Sequence, residues 1–380
     1  MAEKGPVRSR RGRPRQAEVA RLAGVSQTTV SLVLGGNKQG IALHEDTRQR
    51  VLDAARELGY VPDPAARRLA AARNNLLGVF SFTATFPTAV EHSYYPILVG
   101  VEQEAAAQGY DLVLFTASSP GGAQAGAAGA LERVRLADGC LFIGRHIPAD
   151  ELHRLVDHGY PAVHIGRRDE LEGLAWVGAD YVAASAAVVR HLTALGHDHI
   201  VLVREDDDAP ASTDREQGFR TALGEAGLPG GGDTMRLPGG DATGLHAPDA
   251  AAAVIRTADP ATDITADWLR ARQAEGVTAF VAEETDTGAA WRALLAATEA
   301  AGLQAPRDLS LALLGSPPAD LGDRPVPTGF DIPRAELGAA AVRMLTAQLA
   351  GRQTAEPLVA CTFRPGGTAG PPPGSATSQT

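Results

Sequence analysis

The 380-residue chain is 44% hydrophobic and 21% charged, which excludes a disordered protein and suffices for two or three domains with cores of their own. Its net charge of −10 is unevenly spread: residues 1–75 hold 14 Lys and Arg against 7 Asp and Glu, while the remainder holds 21 against 38. A basic head on an acidic body confines any contact with a polyanion to the head, and argues against a protein that coats nucleic acid along its whole surface.

Residues 1–15, MAEKGPVRSRRGRPR, form an expected flexible basic arm. No apolar run follows it as a secretory signal requires, and no stretch approaches the ~20 apolar residues of a membrane span, so the expected location is the cytoplasm. Residues 16–60 carry the spacing of three short helices: Val19 and Ala23 on the first, Val30 and Val33 or Leu34 on the second, Val51, Ala55 and Leu58 on the third. Gly24 suits a tight turn, Ser26 an N-cap, and Gly59 a helix end. Residues 61–75 follow two prolines with a short Ala/Arg/Leu segment too polar to hold a core, which reads as a hinge whose helix is marginal alone.

Residues 76–350 alternate short apolar runs with Ala-rich helical stretches. LLGVFSF, YDLVLFT, GCLFIG, PAVHIG, HIVLV, TAFVAE and LSLALLG are bounded by Gly and polar turns, the pattern of parallel sheets covered by helices. Their number exceeds one open sheet and predicts two doubly wound α/β lobes. Residues 239–267, which include DATGLHAPDAAAAVIRTADPATD (241–263), read as an insertion or mobile surface loop, followed by a helix in DWLRARQAEG. Residues 351–380 form a tail whose end, FRPGGTAGPPPGSATSQT, has the composition of disorder. No leucine heptads precede it, which favours a dimer over a tetramer. Cys140 and Cys361 have neither metal-site nor disulfide-framework spacing, and no metal or cofactor is expected.

The segment VARLAGVSQTTVSLVLGG, residues 19–36, raises the functional question. Packing accounts for its Val and Ala residues but not for Gln27, Thr28, Thr29, Ser31 and Leu32. In a helix-turn-helix the second helix presents such side chains to base edges: Gln pairs with adenine, Thr meets bases or a thymine methyl, and Ser26 with the helix N-terminus holds a phosphate. The plainer alternative is an exposed polar face of an ordinary bundle.

That segment, continued by EDTRQRVLDAARELGYVPDPAARRL, resembles the LacI/GalR family of bacterial transcriptional regulators over about 55 residues, with the family pattern DVAxxAGVSxxTVSRVLNG and a following TRxRVxxAxxxLGYxPNxxARxL block. The resemblance implies base reading by Gln27, Thr28 and Leu32, backbone contacts from Thr47, Arg48 and Tyr60, and a hinge in which Leu69, beside Ala66 and Arg67, wedges into a central minor-groove step. Leu32 stands where most relatives carry Arg or another polar residue, which predicts an operator lacking one guanine contact. Gly35 replaces the family's Asn, and Asp63 replaces another.

In the body, GADYVAASAAVVRHLTALGHDHI, REQGF and PRAELGAAAVRML match family anchors, which implies a periplasmic-binding-protein-like body with an effector between its lobes. Carried over residue by residue, effector contacts fall on Asp180 and Arg215, with Glu283 and Glu284 in FVAEET, and Tyr94 and Tyr95 in EHSYYP, replacing the family's usual residues. Those replacements argue against an ordinary sugar and fit a polyol, an amine-bearing ligand or an unusual glycoside, or a cleft that has lost its ligand. The resemblance implies a homodimeric repressor of a carbohydrate-related operon reading a pseudo-palindrome in double-stranded DNA. The competing class, a doubly wound enzyme, lacks support: GxGxxG after an early strand, GxxxxGK[ST] and GxSxG are all missing, and His191, His197 and His199 fall at scaffold positions of the family.

Overall fold

The computed structural model describes residues 14–34, 43–60, 74–82, 94–116, 131–145, 147–228, 234–237, 253–285, 287–318, 322–353 and 357–374. The chain divides into two compact units, Met1–Asn74 and Asn75–Thr380. Most of the basic arm, Gly35, and the hinge with Asp63, Ala66, Arg67 and Leu69 lie outside the described residues.

The head consists of α1 (Gln16–Ala23), α2 (Gln27–Leu34) and α3 (Glu45–Leu58). Val19, Ala20, Ala23, Val30, Val51, Ala54 and Ala55 meet in its core. α1 ends at Gly24 with φ 65° and α3 at Gly59 with φ 62°, left-handed positions that glycine takes without a Cβ penalty. Seven small residues make a core sufficient to fix three helices but too small for side-chain loss to be tolerated.

The body is built on two sheets. The first has strand order β12-β5-β4-β3-β1-β2, from β1 (Leu76–Ser81), β2 (Asp111–Thr116), β3 (Gly139–Ile143), β4 (Ala162–Ile165), β5 (Ala175–Ala179) and β12 (Leu358–Val359), all parallel. It carries α4 (Tyr94–Ala107), α5 (Ala149–Asp157) and α11 (Arg334–Leu349). The second has order β13-β11-β10-β9-β6-β8-β7, from β6 (Ile200–Glu205), β7 (Thr234–Leu237), β8 (Val254–Thr257), β9 (Ala279–Glu283), β10 (Ser310–Leu314), β11 (Thr328–Asp331) and β13 (Thr362–Arg364), of which β13 alone runs antiparallel. Around it lie α6 (Tyr181–Ala194), α7 (Pro210–Glu225), α8 (Pro260–Asp263), α9 (Ala266–Ala274) and α10 (Ala289–Ala300). Every residue of β1, β3 and β10 is buried, because helices cover both faces of a parallel sheet.

The chain passes between lobes three times: β5 to α6, β11 to α11, and β12 to β13. α4 and α11 cross so closely that a Cβ on Gly100 would lie 1.8 Å from the Ala335 carbonyl oxygen, and one on Gly338 2.1 Å from that of Ile97.

Two sequence expectations need correction. Within 239–267, the expected loop contains β8, which pairs with β6 and β7, and α8, capped by the Asp259 side chain on the Thr262 amide. Val254 and Ile255 are fully buried there, and the Ala-rich flank concealed a four-residue strand. Residues 357–374 of the Gly/Pro-rich tail, which composition assigns to disorder, are among the described residues and carry β12 and β13. β13 pairs with β11, Thr368 donates its hydroxyl to the Leu311 carbonyl at 2.6 Å, and the Gly370 amide donates to Ser310 Oγ at 3.0 Å. Backbone hydrogen bonds hold a composition that has few apolar side chains to bury.

A candidate DNA-reading helix and a ligand cleft

The reading face of α2 follows from how its other face is held. Val30 is fully buried, and Val33 and Leu34 pack partly against the same core. Gln27, Thr28 and Ser31 are thereby left exposed, with Thr29 and Leu32 half-buried. Ser26 caps the helix: its Oγ accepts from the Thr29 amide at 3.1 Å and lies 2.9 Å from Thr29 Oγ1. Both hydroxyls are thus engaged in holding the first turn, while the helix N-terminus stays open to an anion. The Gln16 side-chain amide donates to the Gln27 carbonyl at 3.4 Å and ties α1 to that turn. Thr47 and Arg48 lie in the first turn of α3, Arg48 exposed and Thr47 half-buried. Tyr60 packs against the head core. Ser26→Ala is expected to lower head stability by about 1 kcal/mol, read as an earlier loss of helical circular dichroism on heating; an unchanged transition would contradict the cap.

In the body, a cavity of about 150 Å³ lies at the carboxyl ends of the strands, where the two lobes face each other. Tyr94, Arg145 and the β4–β5 turn with Arg167 and Arg168 line it from one lobe; Asp214, Arg215 and Glu284 line it from the other, with Tyr181 and Arg334 at the crossings. Arginines bridge the lobes. Arg145 Nε donates to Asp207 at 2.5 Å and its Nη2 to Ser212 Oγ at 2.8 Å. Arg167 grips Asp214 through two hydrogen bonds of 2.9 and 2.6 Å, a planar fork on a carboxylate. Hydrogen bonding to Asp214 pushes the Arg167 guanidinium pKa still higher.

Of the six residues expected at the ligand, the structure brings Tyr94, Arg215 and Glu284 to the cavity. Arg215 lies 3.9 Å above the Tyr181 ring centroid, and its Nε donates to the Leu314 carbonyl at 2.8 Å. Glu284 accepts from Arg334 Nη2 at 2.5 Å and from the Ser316 amide at 3.2 Å. The other three lie outside the cavity lining. Asp180 caps α6 through the Ala183 amide at 2.9 Å. Tyr95 is 54% exposed and outside the cavity lining. Glu283 is 1% exposed, behind the lining, with Ser212 donating to it and Arg204 and Arg215 within 3.6 and 3.8 Å. Burial pushes its pKa up against the pull of the two arginines. The acidic cleft expected from FVAEET is therefore a lattice of arginine–carboxylate pairs.

Sequence reasoning missed Arg145, Arg167, Arg334 and Asp214. A signal existed for two of them: GR after GCLFI and GRR after PAVHI place arginines directly beyond apolar strands, where open α/β sheets bind ligands.

Two buried histidines support the scaffold. His197 sits within hydrogen-bond reach of Thr278 Oγ1, Ser310 Oγ and the Gly370 carbonyl, pinning the tail to the second sheet. His164 is fully buried beside the cleft, with Nδ1 2.8 Å from the Gly166 carbonyl. Burial and then Arg168 push its pKa down to about 3. The folded state thus refuses a proton that the unfolded chain accepts near 6.5, so this contribution to stability is present above about pH 6.5 and is lost as pH falls toward 3. Between pH 7.5 and 5.5, urea unfolding is expected to show an extra loss of about 1 kcal/mol that His164→Gln removes. Equal losses in both proteins would contradict it. Among the described residues, no group of three or more His, Cys, Asp or Glu is placed to hold a metal, and no helix is long and apolar enough to cross a membrane.

Comparison with known proteins places both units. Residues 17–63 match the bacterial regulatory proteins of the lacI family, and residues 189–368 a periplasmic binding protein-like domain. The HTH-type transcriptional regulator CelR of Thermobifida fusca is 32% identical over 58% of this chain and 64% of its own length. AscG of Escherichia coli is 29% identical over 56% of this chain and 61% of its length. The chain thus spans less than two thirds of these relatives. Catabolite control protein A of Streptococcus mutans is 29% identical over 87% of this chain and 89% of its own. Among solved structures, a CelR–cellobiose complex is 24% identical with a TM-score of 0.58, covering 94% of this chain and 100% of that one. The lac repressor dimer bound to operator and the anti-inducer ONPF is 19% identical with a TM-score of 0.68, covering 94% and 99%. At these identities, the structural likeness is one of fold.

Proposed function

We propose that this chain, which joins a lacI-family helix-turn-helix domain to a periplasmic-binding-protein-like body, is a sequence-specific DNA-binding transcriptional regulator. It acts in the cytoplasm as a homodimeric repressor, on a pseudo-palindromic operator, under control of a small molecule in the cleft. The observation that carries this reading is α2: one face is locked into the core by Val30, and the other displays Gln27, Thr28 and Ser31 from the capped first turn. Gln27 offers a donor and an acceptor to adenine, and Thr28 a hydroxyl and a methyl to neighbouring bases. Leu32 touches a thymine methyl where a polar side chain would seek guanine. The N-termini of α2 and α3, with Thr47 and Arg48, hold phosphates and set register.

Two such heads require two half-sites related by a twofold axis. Between them the paired hinge segments enter the minor groove, and Leu69 wedges a base step apart beside Ala66 and Arg67. The cleft ligand shifts binding only through its different affinity for the DNA-competent and incompetent arrangements. A sugar or sugar derivative is supported by the cellobiose held by the CelR structure and by a lining of paired donors and acceptors. No catalytic role is assigned, because Asp214 and Glu284 at the cleft are both bonded to arginines and neither is poised as a general acid or base.

Leu69→Ala tests the reading at its mechanical centre. Operator affinity is expected to fall at least tenfold in anisotropy titrations while affinity for random-sequence DNA stays within twofold, since phosphate contacts survive and the wedge does not. Equal losses on both DNAs would remove the wedge.

A further inference from the structure

The positive charge of the head is concentrated in its arm. Residues 8–15 read RSRRGRPR, with Arg8, Arg10, Arg11, Arg13 and Arg15 and no acidic residue among them. The arm joins α1 through an extended residue, Arg15 (φ −107°, ψ 151°), whose amide donates to the Glu18 carboxylate at 2.9 Å. One residue further on, the Gln16 side chain bonds the Gln27 carbonyl, so the arm meets the head beside the first turn of α2. We infer that residues 8–15 bind the minor groove of A·T-rich DNA flanking each half-site, as a second reading element besides α2. The inference rests on the proposed role of α2 in the major groove and adds a DNA site outside the one α2 reads.

In the minor groove A·T pairs show only acceptors, adenine N3 and thymine O2, whereas G·C adds an amino donor. A guanidinium only donates, so arginines at the groove floor favour A·T and are turned away by that amino group. A·T tracts also narrow the groove and deepen its negative potential, which draws arginine in. The residues between the arginines suit a groove about 6 Å wide. Gly12 has no side chain to hold the backbone off the floor. Pro14 fixes its own φ near −65° and disfavours the helical region for Arg13, so the segment enters already extended and loses less freedom on binding. The reach is sufficient: at about 3.3 Å per residue, residues 11–15 cover roughly 13 Å, close to four base pairs of ~3.4 Å each. A helix in the major groove leaves the adjacent minor groove open, and N-terminal arms of other helix-turn-helix proteins enter it there. The central minor groove is assigned to the paired hinge segments, which leaves the outer flank to the arm.

The test titrates the full chain against the site it selects from random DNA, with the flanking pairs on both sides made all A·T, all G·C or all inosine·C. Inosine lacks the minor-groove amino group of guanine and keeps its major-groove edge. The A·T and inosine·C flanks are therefore expected to bind about tenfold more tightly than the G·C flanks. Joint Arg11→Ala and Arg13→Ala substitution should bring all three flanks within about twofold of one another. Neither residue belongs to the head core, so helical circular dichroism should stay that of the parent, and the wild-type series stands even if the variant fails to fold. Equal affinity for the three flanks overturns the inference and makes the arm a phosphate contact. Inosine·C flanks that bind like G·C overturn it too, by moving the reading to the major groove. So does a flank preference that a folded double variant retains, which assigns it to another part of the chain. A chain that selects a site but ignores its flanks loses only this inference. One that selects no site loses the regulator reading, and this inference with it.

Discussion

Gln27→Ala is expected to weaken operator binding by about 1–3 kcal/mol for each half-site, the discrimination a bidentate side chain supplies against the wrong base. The proposed dimer would feel the loss twice, so affinity for a symmetric operator should fall from about 30-fold upward. The reason lies in the geometry of α2. Gln27 is exposed in the first turn, Ser26 and Thr29 hold that turn through each other's hydroxyls, and Gln16 bonds its carbonyl. Removing the side chain therefore removes the proposed base contact without loosening the helix that carries it. Titrations against operators changed at one position should show that the variant no longer distinguishes the base Gln27 reads, while the salt dependence of binding stays that of the parent. A uniform loss across all sequences with a shallower salt slope would make Gln27 a phosphate contact.

Gly100→Ala should produce the largest loss of stability in the body, about 3 kcal/mol and several degrees of Tm. The added methyl would lie 1.8 Å from the Ala335 carbonyl, a backbone atom that no rotamer change can move aside. α4 and α11 would have to separate, although Ile97, Val101, Leu337, Ala341 and Leu345 pack between them. Gly338 makes the reciprocal approach to the Ile97 carbonyl, so the double variant should cost less than the sum of the two single ones, because the first methyl already opens the crossing. Gly224→Ala is the control: it sits in α7 with nothing within 4 Å of its would-be Cβ, and replacing a helical glycine there should be neutral or mildly stabilising. Equal effects at positions 100 and 224 would contradict the close crossing.

What the sequence revealed of this fold follows from burial. The seven apolar runs all became strands; six of them lie inside their sheets and spell continuous hydrophobic stretches, while β2 at the sheet edge leaves Leu112 and Leu114 exposed. β7 and β8 escaped because TMRL and VIRT mix charge with apolar residues near a sheet edge, and β11 because TGFD carries a glycine whose Cβ would meet the Leu313 carbonyl. The head was legible in detail, since helix spacing, a cap residue and two end glycines agree on the same boundaries.

The cleft was harder for a physical reason. Glu283 ends β9 and Glu284 follows it, and adjacent residues of an extended chain point to opposite sides. One carboxylate is therefore buried among Arg204, Arg215 and Ser212 while its neighbour faces the cavity, a difference that two identical letters cannot express. Asp180, which the resemblance puts at the effector, stands between β5 and α6 with its carboxylate accepting from the Ala183 amide. Arg167 and Asp214 are 47 positions apart, and their pairing depends on how the lobes meet, which no local pattern encodes.

The central claim is that the head reads a particular sequence twice. Selection of bound fragments from a random DNA pool by the full-length chain tests it most directly. The account predicts enrichment of an inverted repeat whose half-sites carry an adenine for Gln27 and a thymine beneath Leu32, around a centre rich in easily unstacked steps. Recovery of no sequence above the starting pool, or of an unrepeated motif, would contradict it.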